Sequence, residues 1–226
     1  MNTAGFAVWL YGSHARGTAD AHSDVDIFVA ADPTTNTNSI QRYIPFAPGE
    51  SSFSCYTWNE ISRMADYGSL FLQHLKLEAE PLFETPSHRG ALRHQLDRLG
   101  NYTLAERDIN GFQTVLQDVA QALEDKNNEV YELSVLGTVI RHSAILGCWL
   151  LDKPSFGRHE PVSRLVKLRG IESSVATEFP DVYQYRLYAD GRIERGSLHE
   201  ISARRWLASA KSVVASVEEL ARERDR

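Results

Sequence analysis

Two short apolar runs, joined by a polar, glycine-punctuated connection, constrain this chain most. The first is Phe6-Ala-Val-Trp-Leu-Tyr11, which runs directly into Gly12-Ser13. The second is entered through Ser23-Asp24-Val25-Asp26 and continues Ile-Phe-Val-Ala. Apolar runs of this length bounded by turn residues read as buried strands. A strand that ends on Gly-Ser with a helix-like turn behind it presents backbone amides and a hydroxyl, the donors that phosphate oxygens accept. The glycine lets a ligand approach the backbone closely. Asp24 and Asp26 stand two apart on the second strand, so both carboxylates project from one face. Neighbouring carboxylates repel unless a cation neutralises them, and an all-oxygen donor set selects Mg²⁺ or Mn²⁺ over zinc. A phosphate cradle beside a carboxylate pair is the arrangement of phosphoryl or nucleotidyl transfer.

Gly12-Ser-His-Ala-Arg16-Gly17 followed by Ser23-Asp-Val-Asp26 resembles the signature of the DNA polymerase beta-type nucleotidyltransferase superfamily. The nearer likeness is to bacterial minimal and antibiotic nucleotidyltransferases. A weaker likeness continues through Gly68-Ser-Leu-Phe-Leu-Gln-His-Leu-Lys-Leu-Glu78 to Leu82-Phe83, so it takes in about the first 85 residues. The resemblance implies an α+β fold, with an N-terminal nucleotidyltransferase α/β domain on a small mixed sheet and a C-terminal α-helical domain that closes over the nucleotide and acceptor. It implies that Gly12 and Ser13 hold the phosphates of a nucleoside triphosphate, with Arg16 and Ser23 as further nucleotide contacts; Arg141 interrupts an apolar helix and needs a partner there, either the nucleotide's triphosphate or a structural carboxylate. Asp24 and Asp26 would bind Mg²⁺ (or Mn²⁺), two ions in all, and would form the catalytic group with Ser13. Arg16 has two readings, pairing with a motif carboxylate or reaching a phosphate, and the first is favoured.

The sequence departs from the family pattern in two places. Relatives carry a third carboxylate on the third strand as general base and metal ligand. The third strand here reads Ser52-Phe-Ser-Cys-Tyr-Thr-Trp58 and holds no acid. Glu50 before it and Glu60 after it are the candidates to reach in, against the plainer reading of a solvated carboxylate and a helix-start charge. A general base contributes roughly 10²–10⁴-fold to rate, so its loss would leave a slow or inactive enzyme. Relatives also carry a helix before the first strand, whereas only residues 1–5 precede it here, so either the sequence starts late or another segment covers that sheet face.

Beyond the first strands, Asn59 is the expected cap of one helix from Glu60 to about Ala79, and Pro81-Leu-Phe reads as a fourth strand. Near residue 88 the texture changes to long amphipathic helices, giving domains 1–88 and 89–226. Phe112, Val115, Leu116, Val119 and Leu123 recur at helical spacing. Residues 130–151 form a more uniformly apolar helix, broken for membrane purposes by Arg141 and His142. Pro161 and Gly170 bracket another helix. Ser197-Leu-His-Glu200 reads as a capping box opening the last one, and residues 185–193, with Asp190-Gly191, read as a hairpin. RNase-type helical domains that accompany minimal nucleotidyltransferases carry an Arg with a His five residues on; Arg195/His199 and Arg141/His142 do not fit.

The chain has 226 residues and a net charge of −6, which excludes a surface that grips nucleic acid along its whole length. Residues 141–169 hold six Lys/Arg against two Asp/Glu, a local rim for phosphates or an anionic acceptor, or simply a solvated face. The acceptor could be a small molecule, a protein or a tRNA-like RNA end. Cys55 and Cys148, both in apolar surroundings, fit a reducing compartment. With no secretory leader legible, the expectation is a cytoplasmic protein. The rival reading is a catalytically impaired nucleotide-binding or partner-binding module, the antitoxin-like or defence-system member of a pair.

Overall fold

The computed structural model describes residues 5–35, 40–46, 51–125 and 129–224. Four strands form one mixed sheet in the order β3-β2-β1-β4: β1 (Phe6–Tyr11), β2 (Val25–Ala31), β3 (Ser51–Thr57) and β4 (Glu80–Glu84). β1 pairs antiparallel with β2 and β4, while β2 and β3 run parallel. The two most apolar strands are therefore the central ones. Period-two alternation divides their side chains between two faces. Ala7, Trp9, Tyr11, Phe28 and Ala30 form one buried cluster with Ile61, Leu72, Leu75, Leu92 and Leu96. Those last five come from the helices α2 (Trp58–Asp66), α3 (Leu70–Glu78) and α4 (Ala91–Asp97). Phe6, Val8, Val25, Ile27 and Val29 make the opposite face, covered by Ile40 and Ile44 with Tyr43 and Phe46 beside them. Residues of the loop between β2 and β3 thus cover this face of the sheet.

The chain divides into two compact units, Met1–Thr103 and Leu104–Arg226. The division lies beyond the texture change at residue 88, because α4 puts Leu92 and Leu96 into the core of the first unit. The second unit is helical: α5 (Ala105–Glu124), α6 (Glu129–Leu150), α7 (Glu160–Arg169), α8 (Ser173–Thr177), α9 (Phe179–Ala189) and α10 (Ala203–Arg224). α6 packs against α5, α7, α9 and α10, so it is apolar on nearly every side. By length and composition it could also cross a membrane, and 61% of its apolar window is buried here.

Several local expectations are corrected. The helix expected over 60–79 is two helices, broken at Gly68, whose φ is +66°. A Cβ there would meet the Asn101 carbonyl oxygen at 2.3 Å, so only glycine fits. Its cap is Thr57 rather than Asn59. Residues 185–189, expected in a hairpin, belong to α9, which Asp190 and Gly191 terminate. Residues 197–200 do not open the last helix. It starts at Ala203, with the Ser202 hydroxyl accepting from the Arg205 N–H. Cys55 is exposed, because it lies on the edge strand β3, whereas Cys148 is buried.

Candidate active site

β1 ends on Tyr11, and the chain turns at once into α1 (Gly12–Ala15), with Gly12 at φ +73°. That conformation is open to glycine at no steric cost. A second constraint acts at the same residue: a Cβ on Gly12 would lie 2.1 Å from Asp26 Oδ2. The antiparallel register explains the closeness, since Tyr11 and Asp26 are direct partners across β1 and β2. Asp24 lies just ahead of β2, and both aspartates are half-buried.

The Tyr11 hydroxyl senses this pair. Burial, joined by the Asp26 and Asp24 charges and opposed by a hydrogen bond to Ser54, pushes its pKa up to about 12. The Tyr11–Ser54 hydroxyl contact measures 2.9 Å. Tyr11 therefore stays a protonated, neutral group beside the carboxylates at any physiological pH.

The third strand carries hydroxyls and no carboxylate. Ser52 pairs with Asp26 and Ser54 with Phe28 in the parallel register. Glu60 does not reach in. Its Oε2 accepts from the Thr57 N–H (2.7 Å) and the Thr57 hydroxyl (2.8 Å), while the Glu60 N–H donates back to Thr57 Oγ1. It is the N3 member of a capping box. Those hydrogen bonds hold its carboxyl below the usual carboxylate range. Glu50 lies outside the described residues. Among the described residues, no three His, Cys, Asp or Glu side chains converge as a metal-binding group. Asp24 and Asp26 offer hard carboxylate oxygens, the donor chemistry that suits Mg²⁺ or Mn²⁺ with water and phosphate oxygens completing the shell.

The other motif residues separate into distinct roles. Arg16, offered for pairing or for phosphate, pairs: its Nη1 lies 2.5 Å from Glu78 Oε1. The same oxygen accepts from the Gly12 N–H at 3.1 Å and is hydrogen-bonded to His74 Nε2. The Gly12 amide, expected to meet phosphate, is therefore engaged by Glu78. Ser13 remains half-buried at the turn. Ser23 closes a turn: its hydroxyl donates to Asp20 Oδ1 (2.9 Å) and accepts from the Asp20 N–H (3.0 Å). Arg141 belongs to the helical unit, where Nε and Nη2 donate to the Gly157 and Phe156 carbonyls (3.2 and 2.8 Å). The basic stretch behaves alike: Arg164 donates to the Lys153 and Pro154 carbonyls, and Arg169 pairs with Glu219 and Glu223. Tyr185 is buried, its hydroxyl donating to the His199 carbonyl.

Glu78 is the residue that the structure adds at this turn and that the motifs leave without a role. It sits in the weaker stretch of the resemblance, and its signal was His74, one helical turn earlier on the same face.

Residues 2–63 match the nucleotidyltransferase domain family. No curated protein matches the chain. The match runs from before β1 into α2 and so takes in the turn, both aspartates and the hydroxyl-bearing third strand, ending ahead of Glu78. Residues 2–63, in the N-terminal unit, are thus similar to a nucleotidyltransferase domain, consistent with the polymerase beta-type superfamily.

Proposed function

We propose that the protein transfers a nucleoside monophosphate from a nucleoside triphosphate to a hydroxyl acceptor, with Mg²⁺ or Mn²⁺ at Asp24 and Asp26. The observation that carries the reading is the contact between Gly12 and Asp26 Oδ2, which places the phosphate-type turn directly against a carboxylate of the pair. In the reaction the acceptor oxygen bonds the α-phosphorus, the bond to the pyrophosphate oxygen breaks, and the hydroxyl proton is released. A divalent ion, when bound, would supply charge neutralisation for the triphosphate and for the leaving pyrophosphate. The chain's own residues do the rest. Asp24 and Asp26 hold the ion, and the Ser13 hydroxyl donates to a phosphate oxygen. The protonated Tyr11 hydroxyl adds a neutral hydrogen-bonding group without a further negative charge.

The carboxylate pair at the turn supports nucleotide and metal binding, while the hydroxyls of Ser52 and Ser54 favour slow chemistry. That second observation keeps a nucleotide-binding or partner-binding module, of the antitoxin or defence type, as the alternative. The acceptor is a small molecule, a protein or a tRNA-like RNA end, and the sparse cysteines support a cytoplasmic setting. The deciding experiment incubates the full chain with each α-labelled nucleoside triphosphate, Mg²⁺ or Mn²⁺, and cell extract. Label transfer that disappears in Asp24→Ala and Asp26→Ala supports the transferase. Tight nucleotide binding without transfer or pyrophosphate release under either metal assigns the module.

A further inference from the structure

We propose that Glu78 is a positioning residue for this site, clamping the Gly12–Ser13 turn against Asp26. The inference rests on the reading of Asp24 and Asp26 as a metal–nucleotide site. α1 spans four residues, and the Tyr11 side chain makes no capping hydrogen bond to it. At Gly12 the turn has no side chain of its own to anchor it. Its anchorage comes from α3. Glu78 Oε1 accepts from the Gly12 N–H at the start of the turn and from Arg16 Nη1 at its end. One carboxylate oxygen thus ties both ends of the turn. His74, one helical turn earlier on α3, bonds the same oxygen and fixes its direction.

The cluster is sheltered: the side chains of Glu78, His74 and Arg16 are 12%, 13% and 22% exposed. Hydrogen bonds to a charged acceptor in such surroundings are stronger than neutral ones in water. Asp26 Oδ2 lies close to the Gly12 Cα, where a Cβ would stand 2.1 Å away. Gly12 is therefore held through its N–H by Glu78 and packed at its Cα by Asp26. Release of the clamp would move Ser13 and the Asp26 carboxylate relative to each other, and misplacement of this kind costs binding and rate more than stability.

The test uses the full chain with Mn²⁺ and a non-hydrolysable ATP analogue as probes. Three quantities are read in wild type, Glu78→Ala, Glu78→Gln and Glu78→Asp: the Kd for Mn²⁺–analogue, amide exchange at Gly12 and Ser13, and Tm. Glu78→Ala is expected to weaken Mn²⁺–analogue binding about tenfold or more and to speed Gly12 exchange. Glu78→Gln keeps an oxygen that accepts from the Gly12 N–H, and is expected to restore affinity to within about threefold. Glu78→Asp keeps the charge but falls one methylene short, and should bind like the alanine variant. It also serves if Glu78→Ala does not fold. Wild-type affinity in a folded Glu78→Ala or Glu78→Asp overturns the proposal. So does a glutamine variant that lowers Tm and affinity as far as alanine, which is the behaviour of a merely structural ion pair. Wild type that shows a protected Gly12 amide but binds no Mn²⁺–analogue overturns the underlying nucleotidyltransferase reading, and the positioning role with it.

Discussion

At Gly12 a positive φ and the Asp26 carboxylate together leave no room for a side chain. Gly12→Ala must therefore displace Asp26 or refold the turn. We expect it to cost about 1–3 kcal/mol of stability, the range for a strained backbone residue, measured by urea unfolding, and to weaken Mn²⁺ binding in a calorimetric titration. Glu78 supplies a pH-dependent term. Burial pushes its carboxyl up, but the His74 hydrogen bond and charge, followed by those of Arg16, outweigh burial and hold it below the usual range. A carboxyl with a lowered folded pKa stabilises the fold fully above its unfolded value, ~4.3, and that contribution disappears as pH falls through the folded value. The wild-type advantage over Glu78→Gln in urea midpoint is thus expected to shrink as pH falls below the ordinary carboxylate range. The sequence displays the residue types at this site, but not the hydrogen bonds from Gly12 and Arg16 to a carboxylate more than sixty residues away.

At the scale of elements, α2 opens on a reciprocal Thr57–Glu60 capping box. Thr57→Ala is expected to cost ~1 kcal/mol in thermal unfolding and to leave Mn²⁺ affinity unchanged, because Glu60 serves the helix and not the carboxylate pair. A weakened Mn²⁺ affinity would contradict that assignment of Glu60. The strands β1 and β2 are legible from their apolar runs. The break between α2 and α3 is not, because the apolar spacing of Ile61, Met64, Leu72 and Leu75 continues past Gly68. The close approach of the Asn101 backbone is what makes glycine, and hence the break, necessary. The opposite error occurred at residues 185–193. Asp190-Gly191 is a genuine turn signal, yet it ends a helix rather than joining two strands. Burial of Val182, Tyr185 and Leu187 on α9 carries more free energy than the local strand propensity of tyrosine.

At the scale of the whole molecule, each unit has its own buried core, and α6 is central to the second. Ile140 is fully buried there. Ile140→Ala is expected to lower the unfolding free energy of the helical unit by about 2–5 kcal/mol, followed by far-UV circular dichroism in urea. Of the cations concentrated along residues 141–169, three are engaged within that unit. Arg141 and Arg164 hold backbone carbonyls, and Arg169 holds two glutamates on α10. A run of cations in sequence therefore says little about a cationic surface, because guanidinium groups are also the residues best suited to tie loops and helices together.

Residue order alone suffices for the β1–turn–β2 core of the N-terminal unit, its aspartate pair and the helical character of the second half. These depend on local periodicity, on turn residues and on the spacing of two acids along one strand, all written in consecutive positions. Only the tertiary structure decided what surrounds the pair. It put Ser52 beside Asp26, took Glu60 into a helix cap and brought Glu78 behind Gly12. Each of those outcomes depends on strand register or on the packing of a helix against a sheet, where partners distant in sequence meet and no local pattern records the meeting.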